Sequence, residues 1–281
     1  MTHRGSLTGD RRTRAGLALL GLIALAALTA PLLAGHDAAG LADIAARRFT
    51  APLGRTPDGV LHLLGTDRFG RDVLVRLLLA GRISLAVGVL AALVAAVIGI
   101  ACGAVAGWWG GIVDRALTAA TDAVLAVPRV PLLLLLVAMS QPGVTLTVIA
   151  IGLTGWTTVA RLVRADVRQL RAREFVDAAR ALGVAPARLL ARHVLPHAVG
   201  PALVATALGV GHAIMLEAGL SFLGLGVQPP VPSWGNMIAA GRDALVLAPW
   251  VALAPATMVA VVVLATSLVA DGLEARLAGE D

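Results

Sequence analysis

The sequence has no lysine, no tyrosine and one cysteine; aromatic residues make up 3% of it and charged residues 14%. Each scarcity excludes something. A lone thiol, Cys102, rules out an internal disulfide and a cysteine-built metal site. Without lysine no Gly-x-x-x-x-Gly-Lys-Ser/Thr phosphate loop is possible, so the chain cannot carry that machinery for ATP hydrolysis. His-Glu-x-x-His spacing and a recognisable nucleophile–base pair are also missing, which argues against an intramembrane enzyme. The all-arginine basic set is the mark of a GC-rich genome.

What is abundant is apolar. Hydrophobic residues make up 58% and the mean hydropathy is +0.86. The apolar runs are of helix length rather than strand length, so lipid must solvate them. They cover about residues 15–34, 83–106, 116–140, 144–163, 197–220 and 246–270, each able to cross a hydrocarbon layer of about 30 Å. The chain therefore reads as an all-α polytopic membrane protein with about six transmembrane helices. The first run follows Arg11, Arg12 and Arg14 as in a signal peptide, but it nearly reaches span length and ends in Pro31-Leu32-Leu33 without a clear small-x-small cleavage site. An uncleaved first helix over 15–35 is expected, after a cytoplasmic segment 1–14. In the second run Gly99, Gly103 and Gly107 recur every fourth residue, a stripe that lets a neighbouring helix come close.

Residues 36–81 are polar and expected to be extracytoplasmic. Val73, Leu74, Leu77 and Leu78 share one helical face, which predicts a short amphipathic helix along the membrane surface. Orientation follows from arginine. Arg161, Arg164, Arg168, Arg171, Arg173, Arg180, Arg188 and Arg192 crowd one segment, whereas loops 138–145 and 221–245 hold only Arg242. The positive-inside rule then puts the N-terminus, that segment and the tail 272–281 in the cytoplasm. The arginines of 36–81 are accompanied by aspartates, and a loop of that length weighs less.

The arginine-rich segment, 164–196, is the most informative. Phe175, Ala178, Ala179 and Leu182 stand at i, i+3, i+4 and i+7 and form a narrow apolar face after Glu174 and beside Asp177. Gly183 is placed to end that helix, Pro186 to begin the next, and Leu189, Leu190 and Val194 give the second its own apolar face. Pro196 is expected to close it. A small-residue helix with two large anchors suits a groove on a partner, or equally the headgroup layer.

The run Asp177-Ala178-Ala179-x-x-x-Gly183, closed by Leu195-Pro196, resembles the "EAA" coupling loop of ABC importer permeases. The stretch from His62 through Gly65-Thr66-Asp67 to Gly70-Arg71-Asp72, the run Ser221-Phe222-Leu223-Gly224-Leu225-Gly226-Val227-Gln228-Pro229-Pro230 and Pro232-Ser233-Trp234-Gly235-Asn236-Met237 resemble the dipeptide, oligopeptide and nickel permease family, its C-type subunit in particular. The resemblance covers nearly the whole chain from about residue 60. It departs at Asp177, where the family usually has Glu; the charge is kept. The resemblance implies a permease core of five helices over 82–271 that forms half of a path for di- or oligopeptides, with nickel or another small solute as the alternative. It implies Glu174, Phe175, Asp177, Ala178, Ala179, Leu182, Gly183, Leu195 and Pro196 as the ATPase-coupling residues. It also implies four kinds of partner: a second, B-type permease subunit, two ABC ATPase subunits that carry the ATP and Mg, an extracytoplasmic solute-binding protein, and the lipid of a bacterial cytoplasmic membrane. No cofactor is expected on this chain.

Four ionisable residues fall inside expected spans: Asp122, Arg129, His212 and Glu217. Charge there is costly and faces a cavity or a partner. Asp122 and Arg129, seven apart, share one face of a continuous helix. Two readings stand: a polar patch lining the path, or an Arg129–Glu217 pair locking two helices. His212 and Glu217 point about 140° apart on a helix, so no metal site is expected there. A stand-alone secondary transporter would show an internal repeat, and none is visible.

Overall fold

The computed structural model describes residues 11–33 and 44–278. Most of the expected segment 1–14, the start of the 36–81 stretch and residues 279–281 of the expected tail lie outside the described residues.

Five helices are long and apolar enough to cross a membrane, and a bent pair makes a sixth candidate. They are α1 (Arg11–Leu33), α3 (Val73–Trp109), α6 (Val144–Arg171), α10 (Gly200–Phe222) and α12 (Trp250–Ala278); the bent pair is α4 (Gly111–Ala126) and α5 (Arg129–Ala138). Short helices connect them: α2 (Ile44–Arg47), α7 (Glu174–Ala181), α8 (Pro186–Leu189), α9 (Leu195–Ala198) and α11 (Trp234–Gly241). A two-stranded antiparallel hairpin, β1 (Gly54–Arg55) and β2 (Leu61–His62), stands before α3.

Helix α3 is the axis of the molecule. Its most extensive partner is α6, and α10, α1 and α11 pack around it. A methyl group added at Gly103 would lie 2.5 Å from the carbonyl oxygen of Ala160, and one at Gly107 2.8 Å from that of Arg164. The stripe Gly99-Gly103-Gly107 is thus the seam along which α3 and α6 bring their backbones together. Three apolar clusters stack along α3. One, around Val73, Leu77, Trp234 and Val251, lies at the hairpin end. The middle one holds Val87, Leu133, Val137 and Ile151. The third, with Trp108, Val163, Val167 and Val176, lies at the arginine-rich end.

Several expectations are corrected. The surface helix expected near 70–78 does not exist: its residues are the first turns of α3, continuous through Trp109. Asp72 caps that helix by accepting a hydrogen bond from the Val75 amide, and Val73 and Leu77 are buried against the core, not laid on lipid. The core helix therefore starts before residue 82. The third span is broken at Val127–Pro128, and its halves meet at 84°. Proline lacks the amide that would continue the ladder, so Asp122 and Arg129 do not share a face. Helix α6 continues past the end of the apolar run 144–163 to Arg171, and Arg164 in that extension pairs with Asp114 of α4. Nor does Pro196 end the helix it follows. The chain widens into a π turn over Leu190–Val194, absorbs the proline in the first turn of α9 and stays helical to Ala198. The expected tail 272–281 is helical through Ala278.

Candidate functional site

At the arginine-rich end the chain builds a two-faced helix. Glu174 and Asp177 occupy the first turn of α7, where negative charge suits the positive end of the helix dipole. At the other end Gly183 takes a left-handed φ of 77°. The Val184 amide donates to the Ala179 carbonyl and the Gly183 amide to the Arg180 carbonyl, a closing pattern that needs a residue free of a Cβ penalty.

One face of α7 holds the helix to the protein. Val176 is wholly buried and Ala179 half-buried, packed on Leu189, Leu190 and Val194. Each fully buried side chain of this size is worth up to about 1.5–3 kcal/mol. Arg180 sets its guanidinium 5.5 Å from the ring centroid of Trp108, which ties α7 to the last turn of α3. The opposite face is bare. Phe175 is 44% and Leu182 84% exposed, with Ala178 exposed between them. Glu174 and Asp177 are exposed as well, and Asp177 accepts a hydrogen bond from Arg180 at 3.0 Å. Leu195 is half-buried in the arginine-end cluster, and Pro196 is exposed. The face expected from periodicity therefore exists, except that Ala179 turns inward. Val176 escaped notice because it is off the Phe175–Leu182 stripe; its signal is the i, i+3 pair it makes with Ala179.

A cavity of about 670 Å³ opens beside α3, α6, α10 and α12. Its walls are mostly small and apolar, among them Ala91, Ala95, Gly155 and Ala205, with Arg129 and His212 at mid-height and Glu274 toward the arginine-rich end. Arg129, the first residue of α5, donates from Nε to the Thr154 hydroxyl at 3.3 Å and from a terminal nitrogen to the Ile151 carbonyl at 3.1 Å.

The other ionisable residues part company. Asp122 pairs with Arg161 at 2.7 Å, both side chains more than half exposed, a contact worth at most about 1 kcal/mol. Glu217 is wholly buried and takes no part in the cavity wall. Ser221 donates to one of its oxygens at 2.7 Å and Ser84 to the other at 3.2 Å. Ser84 in turn accepts from the Trp234 amide and Ser221 from the Val227 amide. Glu217 thus ties α3, α10 and the chain leading into α11 through serine hydroxyls. No ion pair joins it to Arg129. Among the described residues no three His, Cys, Asp or Glu side chains come together as a metal site.

The hairpin end is a polar knot. His62 hydrogen-bonds the Asp72 carboxylate at 2.7 Å and lies 3.3 Å from the Thr56 hydroxyl. Asp67 takes the Arg71 side chain and the backbone amides of Phe69 and Arg71. Trp250 donates its indole N–H to the Thr66 carbonyl. A hydrogen bond from Thr56, with Arg47 adding to it, holds the Asp58 carboxyl below the ordinary carboxylate range. These residues hold the hairpin onto the starts of α3 and α12.

The chain is similar to known proteins. The model of the family described as "Binding-protein-dependent transport system inner membrane component" matches residues 99–279. The "Oligopeptide transport system permease protein OppC" of Bacillus subtilis (strain 168) is 37% identical over 262 residues, 93% of this chain and 83% of that one. The "Dipeptide transport system permease protein DppC" of Alkalihalophilus pseudofirmus is 38% identical over 216 residues, 77% of this chain and 71% of that one. In fold, the chain is similar to one of the MetNI methionine ABC transporter solved in an inward-facing conformation, with a TM-score of 0.56 at 18% identity, covering 74% of this chain and 96% of that one. With a family model over most of its length, and a relative 37% identical over 93% of it, the chain belongs to the inner-membrane components of binding-protein-dependent transport systems.

Proposed function

We propose that this chain is one of two permease subunits of an ATP-driven importer of di- and oligopeptides, and that separate ATPase subunits, which hold the ATP and Mg, dock on α7. The observation that carries this reading is α7 itself: a helix anchored on one face by Val176 that leaves Leu182 bare and Phe175 partly exposed on the other. A large apolar side chain at 84% exposure has no role within the fold, whereas in a partner's groove it is an anchor. The link from Arg180 to Trp108 lets movement of the docked helix reach α3. The curated relatives named for oligopeptide and dipeptide transport support peptides as the cargo. A second permease completes the cavity, and an extracytoplasmic binding protein delivers solute at the hairpin end. The arginine-rich end and both termini then face the cytoplasm.

Leu182→Asp tests the docking. It lies on the bare face, so membrane insertion and the yield of the permease pair should stay as in the wild type, while co-purifying ATPase and peptide uptake fall at least tenfold. Undiminished ATPase recovery and uptake would remove α7 from the coupling role.

A further inference from the structure

The cavity contains a positive charge that its own walls leave unneutralised. Arg129 lines it, and among the described residues it belongs to no ion pair; its partners are a hydroxyl and a backbone carbonyl, both uncharged. Those two bonds use two of the five guanidinium N–H groups, on the edge shared by Nε and Nη2, so the end-on pair formed by the two terminal nitrogens still has an N–H on each to offer a carboxylate. The surroundings make this unusual. Ala91, Ala95, Ile151 and Gly155 supply no acceptor side chain, and the other charged group on the wall, Glu274, belongs to the last turns of α12. Ionisable groups inside a membrane protein are costly, face its interior or a water-filled cavity, and mark solute paths. The two bonds to α6 fix the direction of the guanidinium before any solute arrives, which lowers the ordering cost of binding.

We propose that Arg129 is a specificity-determining residue that receives the carboxylate of the transported solute, and so selects carboxylate-bearing solutes over amidated or cationic ones. This rests on the cavity being the solute path. The planar fork offers two parallel donors to a carboxylate, a match that an amide or a metal cation cannot make.

The test uses the whole transporter, with both permeases, the ATPases and the binding protein, in proteoliposomes. Arg129→Met should cut uptake of a dipeptide at least tenfold. Arg129→Lys, which keeps the charge but loses the fork, should fall between the two, with the loss mainly in KM. In a second arm the detergent-solubilised complex without binding protein is melted with the dipeptide or its C-terminal amide. The free carboxylate should raise the melting temperature of the wild type and not of Arg129→Met, and the amide should raise neither. Equal uptake by wild type and Arg129→Met, or equal shifts with acid and amide, would overturn the proposal while leaving peptide transport intact. If the wild type moved no peptide, a carboxylate-dependent shift lost in Arg129→Met would keep the site and discard the peptide reading instead.

Discussion

Glu217 shows how much a single buried carboxylate can organise. Four groups depend on it directly or at one remove: the hydroxyls of Ser84 and Ser221, and the amides of Trp234 and Val227 that those hydroxyls accept from. Replacing it with Ala strands both hydroxyls, and a buried polar group left unmatched costs about 1–3 kcal/mol. Glu217→Gln keeps one carbonyl acceptor and an amide donor, so it should do less harm. In thermal melts of the purified permease pair, Glu217→Ala should therefore lose clearly more stability than Glu217→Gln. Uptake should decline with stability and equally for neutral and charged peptides. A selective loss for charged peptides at unchanged stability would return Glu217 to the solute path. The sequence shows that Glu217 sits in an apolar run, but not that serines hold it, because Ser84 lies 133 positions away.

Among the elements, the seam between α3 and α6 is the most exacting. Gly103→Val would put a branched side chain against backbone that cannot swing aside, and overpacking of this kind costs at least about 1–3 kcal/mol. Gly219→Ala is the control, since an added methyl there meets nothing within 4 Å. Recovery of folded protein after detergent extraction should drop sharply for the first and stay level for the second; equal recovery would mean the helices have room to separate. This seam was legible in the glycine spacing, as were five continuous spans, the turn at Gly183 and the new start at Pro186. All are local chemistry. What escaped was decided elsewhere in the chain. Residues 73–78 look amphipathic on their own, but the face that seemed meant for the lipid surface packs on Trp234 and Val251. The break at Pro128 was written in the sequence, yet apolar runs continue through it on both sides and length alone concealed it. Of the docking face, Phe175 and Leu182 were readable from periodicity; Val176 and the stacking of Arg180 on Trp108 required the fold.

On the scale of the whole molecule, the arginine asymmetry makes a prediction of its own. Arg173 is exposed at the turn between α6 and α7, so Arg173→Cys in a background lacking Cys102 presents one accessible thiol. A membrane-impermeant maleimide should label it in inside-out vesicles and not in intact cells; the reverse would invert the topology. Finally, α3 is 37 residues long, a rod of roughly 55 Å. That exceeds a hydrocarbon thickness of about 30 Å by nearly a factor of two, so the rod must lean or protrude from the bilayer. Its far ends are gripped by different structures, the Asp72 cap and His62 at one and the Trp108–Arg180 stack at the other. A rod of that length turns angle into distance: tilting it by about 5° about one end carries the other roughly 5 Å, on the order of one helical turn. Leverage of that kind would let a small rocking of α7 be felt across the full thickness of the bilayer without any bend in the helix that transmits it.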